Sequence, residues 1–230
     1  RTITLAPEAG SERLRRVINK GISEADLLRT VGMALQAGIP NVKLYIMLGL
    51  PTETDQDIAA ISELALQVMQ QMKASGRPGT LTLSVNPFVP KPFTPFQWLP
   101  MTEQSVVAER LKQLEKRLGK EKKIRLQSES LREAYLQGML ARGDRRLGEA
   151  ILLSHQLGGR KYWKQALKQS GIAEAEYLYR QRSQQEVFPW DNIDVGVTRA
   201  YLWSELERAL TEAVTPVCFD GCRRCGVCNG

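Results

Sequence analysis

Short apolar segments recur along the first part of the chain. Val42 to Leu48 is an almost unbroken apolar run, rich in β-branched and aromatic residues and too short for a membrane span or a typical globular helix. It predicts a strand buried on both faces. Thr2 to Ala6 predicts a second short strand, and Thr80 to Val85 a third, in which apolar and polar residues alternate.

Helical patterns follow these strands. After the turn at residues 7–10, Ser11 is suited to cap a helix, and Ser23 with Asp26 resembles a capping box. Thr54 or Asp55 begins a long helix that ends at the break of residues 75–79. Its predicted inner face is Ile58, Ile61, Leu64, Ala65, Val68, Met69 and Met72. The repeat of strand and helix, about 40 residues long, predicts parallel strands of an α/β fold.

The later part of the chain has a different pattern. Residues 86–100 are rich in proline and aromatic residues and predict an extended loop, after which Thr102 is suited to cap a helix. Ile124 to Leu126 resembles a short strand. Helical patterns with glycine breaks then continue to a last helix over Thr198 to Val214. We expect a barrel-like part over 1–124, a helical extension over 125–214 and a cysteine-rich tail over 215–230.

Charge and composition narrow the classes of function. The net charge is +7, and most of the basic surplus lies after residue 100. Such a surplus favours an anionic partner such as RNA, although evenly interspersed charges are also typical of a solvated helical surface. No apolar run is long enough for a membrane span, so we expect no membrane association. The single histidine excludes a multi-histidine metal site.

The first residue also matters for the expected organisation. The chain starts at Arg1 rather than Met, and its first residues already form a predicted strand. A sheet of only three parallel strands would expose hydrophobic edges, which stable domains avoid. We therefore expect the chain to be a piece of a longer protein whose amino-terminal part supplies the missing strands as a partner.

Two turns at predicted strand ends carry the candidate binding residues. APEAGS contains Glu8 and Ser11, and LGLPTE contains Gly49, Pro51 and Glu53. Ligands of parallel α/β folds bind where strands end, so both turns are expected at one edge of the sheet. We expect the exposed backbone of residues 49–51 to meet a flat or polar ligand and Glu53 to accept hydrogen bonds from it.

The cysteines lie together at the end of the sequence. Cys218, Cys222, Cys225 and Cys228 lie in the segment CFDGCRRCGVC, and no distant cysteine remains for a stapling disulfide. Four closely spaced thiolates are typical of an iron–sulfur cluster. Zinc usually draws two separated cysteine pairs, and a redox disulfide or free thiols are further alternatives. We predict a metal site and leave its metal open at this point.

One aromatic residue outside these segments is a further candidate. Trp190 lies in the loop FPWDNIDVG, whose polar and glycine-containing sequence has no obvious packing role. The tryptophans are most simply core or loop anchors, and Trp190 is the best candidate among them for a further role.

Several segments together resemble a known superfamily. LAPEAGSERLRRVINK, KLYIMLGLPTET and LSVNPFVPKPFTPFQW resemble the fourth, fifth and sixth strands of the radical SAM superfamily barrel with their following turns. The similar branch includes the methylthiotransferases and enzymes with an amino-terminal cobalamin-type domain. Within it, GDRRLGEAI, FPWDNIDVGV and the cysteine cluster resemble an uncharacterised radical SAM family.

The resemblance implies a fold and cofactors. The fold would be α/β, the carboxyl-terminal half of a radical SAM (βα)6 partial TIM barrel followed by a mainly helical extension. Glu8 and Ser11 would lie near the methionine and ribose of S-adenosylmethionine. Ile46, Gly49, Pro51 and Glu53 would border the adenine. A 4Fe-4S cluster is the second implied cofactor, with zinc as the alternative at the carboxyl-terminal cysteines.

One departure from the superfamily pattern changes the expected activity. The motif C-x3-C-x2-C is absent from the barrel part and occurs only at Cys218, Cys222 and Cys225, where Cys228 follows. We therefore expect an auxiliary cluster there and a chain that is inactive alone. The intact protein would be a cytoplasmic enzyme that cleaves S-adenosylmethionine reductively and abstracts hydrogen from an unknown substrate, RNA being one possibility. The alternative is a non-catalytic, metal-bearing RNA-binding module.

Overall fold

The computed structural model describes residues 1–76 and 79–228. Arg77 and Pro78 of the predicted break lie outside the described residues. The chain forms a sheet unit of Arg1–Phe88, Thr102–Leu131 and Glu207–Val217, and a helical unit of Val89–Met101, Arg132–Leu206 and the segment from Cys218 onward. This division differs from the predicted boundaries, since residues 89–101 join the helical unit and residues 207–217 the sheet unit.

The sheet unit contains parallel strands joined by helices. Within the described residues one sheet has the order β1 (Thr2–Glu8), β2 (Asn41–Leu48), β3 (Leu81–Pro87) and β4 (Ile124–Ser128). The helices are α1 (Glu12–Val17), α2 (Glu24–Gln36), α3 (Asp55–Ala74) and α4 (Gln104–Leu118). Every neighbouring pair of strands is parallel, which confirms the α/β class and the predicted strand and helix repeat. The arrangement is consistent with a partial barrel.

The two faces of the sheet differ. On β2 the residues that face the helices are buried, whereas Lys43, Tyr45 and Met47 on the other face are only half-buried. The prediction of a strand buried on both faces was therefore wrong, because α2, α3 and α4 cover one face only. The buried face packs into one core that includes Val42, Leu44, Ile46, Leu48, Ile58, Ile61, Leu64, Val68, Leu81, Leu83, Val107 and Leu114.

The uncovered face of the sheet is polar. One row across the strands aligns Thr4, Lys43, Thr82 and Arg125, and the next aligns Tyr45, Ser84 and Gln127. Parallel sheets that pack helices on both faces carry apolar residues on both. The side chains of this face are instead suited to meet water or a polar ligand.

Most helices of the sheet unit begin as the sequence predicted. Ser11 caps α1 through its hydroxyl, which accepts from Leu14 N at 3.1 Å, and Ser23 with Asp26 forms a capping box on α2. The prediction that Thr102 caps α4 was wrong. Its Oγ1 donates to Gly49 O at 3.0 Å instead, and the helix begins after Glu103. This contact links the chain before α4 to the end of β2.

The helical unit is formed by short helices around its own core. They are α5 (Leu131–Arg142), α6 (Leu147–Gln156), α7 (Trp163–Gln169), α8 (Glu174–Leu178) and α9 (Arg199–Leu210), with 3-10 turns at Pro95–Trp98 and Arg160–Tyr162. Residues 207–210 of α9 belong to the sheet unit. Leu131 at the start of α5 packs in the sheet unit. The predicted breaks at Gly143, Gly158 and Gly171 are confirmed. The first 3-10 turn lies in the loop that was predicted to be extended.

The tryptophan singled out in the sequence has a packing role. Trp190 is buried and its Nε1 donates to Gln97 Oε1 at 2.8 Å, while its ring stacks on Phe188 with a centroid distance of 4.9 Å. The loop FPWDNIDVG, for which the sequence indicated no packing role, therefore packs through Trp190 against Gln97 and Phe188. Among the described residues no helix combines the length and the apolar character that a membrane crossing requires.

Gly10 permits the closest approach in the sheet unit. A Cβ at Gly10 would lie 2.3 Å from Ile61 N and 2.6 Å from Ile61 Cα, so the turn after β1 packs directly on the backbone of α3. Backbone atoms cannot rotate away as a side chain can. The position therefore requires glycine for space rather than for a left-handed conformation.

We predict that Gly10→Ala lowers the free energy of unfolding by about 1–3 kcal/mol, because the added methyl forces the turn off α3. Urea unfolding followed by circular dichroism measures the difference. Gly21→Ala is the matched control, since a Cβ there meets nothing within 4 Å. Equal stability of the two variants would contradict the packing argument.

Candidate functional site

The end of β1 presents Glu8 in an unusual conformation. Glu8 has φ 65°, in the left-handed region that non-glycine residues seldom occupy, and the pairing with β2 shifts between Leu5 and Glu8. Its side chain is 27% exposed, and the nearest cation is Lys20, whose Nζ lies 3.9 Å away. Strained residues of this kind cluster at ligand sites. The carboxylate is therefore displayed at the strand end with one long ion pair.

The turn after β2 is held by a buried carboxylate. Gly49 has φ 83° and Thr52 φ 62°, and Glu53 Oε2 accepts from Gly49 N at 2.8 Å and from Arg110 Nη1 at 2.5 Å. The side chain of Glu53 is only 1% exposed. The expectation that Glu53 accepts hydrogen bonds from a ligand was wrong, because its carboxylate is folded inward onto its own turn.

Burial dominates the ionisation of Glu53. It raises the pKa of Glu53 to about 7, against the opposing effects of the Gly49 N–H and the charge of Arg110. Loss of solvent disfavours the charged carboxylate, and a cation and a backbone donor offset only part of that cost. No sequence pattern pointed to Arg110, which lies in α4, 57 residues after Glu53. Only the fold brings this cation to the turn.

Asp57 ties the two strand-end turns together. Ser11 Oγ donates to Asp57 Oδ1 at 2.5 Å, and Arg13 forms an ion pair with Asp57 Oδ2 at 2.5 Å. The same guanidinium donates through Nη2 to Thr52 O at 2.7 Å, and Thr54 Oγ1 donates to Asp57 Oδ2 at 2.7 Å. The turns that follow β1 and β2 are thus one hydrogen-bonded assembly.

The ionisation of Asp57 reflects this network. Burial alone would raise the pKa of Asp57, but hydrogen bonds from Arg13, Ser11 and Thr54 outweigh it and lower the pKa to about 2. A carboxylate with this many donors is stabilised in its charged form. In the sequence Asp57 suggested only a first-turn acid of a helix, and Arg13 suggested nothing.

The structure places only some of the predicted strand-end residues where a ligand could contact them. Glu8 and the backbone of residues 49–51 lie at the carboxyl edge of adjacent parallel strands, and Ile46 is the register partner of Glu8. The side chain of Ile46 points into the core and is 1% exposed, so only its backbone is at this edge. Pro51 is half-buried, and the hydroxyl of Ser11 is occupied by Asp57.

The cysteine tail lies within the helical unit. Cys222 is 4% exposed and its Sγ accepts from Arg224 Nε at 3.1 Å, whereas Cys218 and Cys228 are exposed. Over residues 1–76 and 79–228 no group of three or more His, Cys, Asp or Glu side chains is placed to hold a metal. The zinc alternative therefore has no support, and the metal role of the cysteines stays a prediction.

The tail is docked beside the start of α9. Thr198 N donates to Cys225 O at 2.8 Å, and a Cβ at Gly226 would lie 2.7 Å from Thr198 Cγ2. Gly226 has φ 96°, so glycine serves both the close approach and the conformation here. The sequence contained no signal that the cysteine loop would pack against residues 196–198.

Comparison with known proteins identifies the first part of the chain. Residues 1–65 match a family model described as the Radical SAM superfamily. This part of the chain is a radical SAM sequence. The match covers β1, α1, α2, β2 and the first half of α3, which include both strand-end turns and Asp57. The predicted superfamily is confirmed, and the narrower methylthiotransferase branch stays a prediction.

A curated relative extends the similarity beyond the radical SAM match. The chain is 40% identical over 151 residues to "Uncharacterized protein MJ0966" of Methanocaldococcus jannaschii, which covers 66% of this chain and 32% of that protein. The chain thus spans about a third of the length of this relative. No solved structure matches the chain.

We predict that Asp57→Asn lowers the free energy of unfolding by about 2 kcal/mol at pH 7. This is the free energy that corresponds to lowering the pKa from 3.8 in the unfolded chain to about 2 in the folded protein. The carboxylate is charged in both states above its unfolded pKa, so its contribution is complete there. It is lost as the pH falls through the folded pKa.

The difference between wild type and Asp57→Asn should therefore shrink as the pH falls from 4 towards 2, which urea unfolding at a series of pH values measures. Asp55→Asn, an exposed neighbour in the same first turn, is the control and should change little. A difference that stays constant over this pH range would refute the assigned ionisation.

Proposed function

We propose that the sheet unit supplies part of the S-adenosylmethionine site of a radical SAM enzyme. The observation that carries the proposal is the pair of strand-end turns, which Asp57 holds together while Glu8, at the start of the first turn, stays partly exposed. The radical SAM match over both turns supports it. Preorganised turns bind a ligand without first ordering themselves.

Each turn offers a different kind of contact in this proposal. The carboxylate of Glu8 would accept hydrogen bonds from the ammonium group of the methionine moiety or from the ribose hydroxyls. The backbone of Gly49 to Pro51 and of Ile46 would border the adenine. Glu53 and Ser11 act indirectly, since one holds the Gly49 turn and the other holds Asp57.

The polar face of the sheet is the proposed substrate side. Lys43, Thr82 and Arg125 form one row on this face, and Ser84 and Gln127 belong to the next. These side chains offer hydrogen-bond donors and acceptors, which suits a polar substrate that meets the radical near the strand ends. Lys43 Nζ also lies 4.7 Å from the centroid of the Tyr45 ring, which orients it across this face.

The cysteines fit a thiolate-ligated cluster by donor chemistry. They form no disulfide in the part of the chain that the structure describes, and glycines with φ 78° and 96° at Gly221 and Gly226 let the loop turn tightly. Cys218, Cys222, Cys225 and Cys228 would be the ligands of an auxiliary cluster. In the intact enzyme a reduced 4Fe-4S cluster would supply the electron that cleaves S-adenosylmethionine to a 5′-deoxyadenosyl radical.

The substrate and the remaining partners stay predictions. RNA as substrate, the amino-terminal half of the barrel as partner and the inactivity of this chain alone are each open to direct test. The non-catalytic RNA-binding module is distinguished by its behaviour, since it would bind RNA in a salt-dependent manner and show no affinity for S-adenosylmethionine.

We predict that Glu8→Gln weakens binding of S-adenosylmethionine roughly 10-fold or more in the full-length protein, because a charged acceptor is lost. Anaerobic calorimetric titration measures the affinity. Glu63→Gln, an exposed acid on α3, is the matched control and should bind as wild type does. Unchanged affinity in Glu8→Gln would remove Glu8 from the site.

We predict that Cys228→Ser reduces the iron and sulfide bound by the full-length protein after anaerobic reconstitution. An auxiliary cluster with four protein ligands is weakened by the loss of one thiolate, whereas a radical-generating cluster requires only three cysteines. Iron, sulfide and visible absorption are the readouts. Full retention of a cluster that cleaves S-adenosylmethionine would make the tail the catalytic centre instead.

A further inference from the structure

A polar pocket lies within the helical unit, and the residues that line it come before the cysteine tail in the sequence. Its volume is about 390 Å³, and it lies among the end of α5, the end of α8 and the segment that follows α8. Four arginines line it, at positions 142, 146, 180 and 182. The size is within the usual range of small-molecule sites.

Arg142 is a buried cation with an unused donor. The residue is 1% exposed, and its Nε donates to Tyr177 O at 2.7 Å while Nη1 lies 3.4 Å from Gln97 O. Its Nη2 has no hydrogen-bond partner among the described residues. Burial lowers the pKa of Arg142 to about 10, and the charges of Arg182 and Arg180 act in the same direction.

Arg182 lies beside Arg142 and likewise has hydrogen-bond donors without a partner among the described residues. It is 5% exposed, and its Nη2 donates to Arg142 O at 2.7 Å. Its Nε and Nη1 have no hydrogen-bond partner in the described part of the chain. The guanidinium is held over the rings of Phe188 and Trp190, with centroid distances of 5.2 and 5.4 Å. Buried donors without acceptors are costly, so their retention calls for an explanation.

Two acidic residues of the pocket lining, Asp144 and Glu186, form their short hydrogen bonds with the outer arginines. Asp144 is bound by Arg146, whose Nη2 lies 2.8 Å from Oδ2. Both oxygens of Glu186 accept from Arg180 at 2.7 Å, and Glu186 Oε1 is 3.8 Å from Arg182 Nε, beyond hydrogen-bond distance. The two outer arginines thus pair with Asp144 and Glu186, and the two buried ones line the pocket with donors that have no partner among the described residues.

From this arrangement we propose that the pocket binds a phosphate group through Arg142 and Arg182. Their open N–H groups come from two adjacent planar guanidinium forks, which match the several oxygens of a tetrahedral dianion. A carboxylate has fewer oxygens and one charge, and it would satisfy fewer of these donors. The volume of about 390 Å³ suits the phosphate of a small molecule.

The test is a titration of the full-length protein with inorganic phosphate at constant ionic strength set by chloride. Phosphate should bind and raise the unfolding temperature, whereas acetate should bind at least roughly 10-fold more weakly. Glycerol 3-phosphate should compete for the site. Acetate that binds as tightly as phosphate would overturn the assignment, as would glycerol 3-phosphate that fails to compete with phosphate.

Variants distinguish phosphate binding at the pocket from nonspecific attraction by the positive charge of the protein. Arg182→Gln should weaken phosphate binding roughly 10- to 100-fold, and Arg182→Lys should restore it only partly because the fork is lost. Arg145→Gln is the matched control, since this exposed arginine lies outside the pocket lining and carries the same charge. Equal losses in Arg182→Gln and Arg145→Gln would show that the pocket has no specific role.

A measurement on the wild-type protein covers the case in which the arginine variants fail to fold. Bound phosphate should slow hydrogen exchange of backbone amides in residues 142–146 and 176–187, relative to chloride at the same ionic strength. Exchange that is unchanged in both segments would overturn the proposal.

Discussion

The carboxylate of Asp57 is the constraint on which the strand-end edge depends. It receives hydrogen bonds from Ser11 and Thr54 and an ion pair from Arg13, which in turn reaches Thr52 O. One buried charge thereby fixes the first turn of α3, the cap of α1 and the turn after β2. Because these donors share one acceptor, the two turns are held in one arrangement rather than moving independently.

The carboxylates at the strand ends are of two kinds. Two are buried and stabilise the turns, and one is partly exposed to solvent. Glu53 and Asp57 are both nearly inaccessible to solvent and paired with arginine, so they stabilise the turns. Glu8 is half-exposed, and its conformation is strained. Backbone strain of this kind persists only where the surrounding structure holds the residue in place.

The buried arginines of the helical unit differ from the arginines of the sheet unit in how they are paired. In the sheet unit Arg13 and Arg110 are satisfied by buried acids, whereas Arg142 and Arg182 are buried with part of their donors open. A fold that tolerates two adjacent cations, with the desolvation cost this entails, gains from a ligand that neutralises them. Stability and recognition would then be linked through the same groups, since an anion bound there stabilises the folded unit.

The sequence by itself determined the strand and helix repeat, the capping residues Ser11 and Ser23, the glycine breaks and the superfamily, because these depend on local periodicity, turn chemistry and motif spacing. Only the tertiary structure decided that Ile46 faces the core, that Glu53 turns inward to Arg110 and that Thr102 braces Gly49. It likewise decided that Arg142 and Arg182 meet, and that one sheet face stays polar. Such pairings join residues distant in sequence, and burial, not residue type, sets whether a charged side chain supports the fold or meets a ligand.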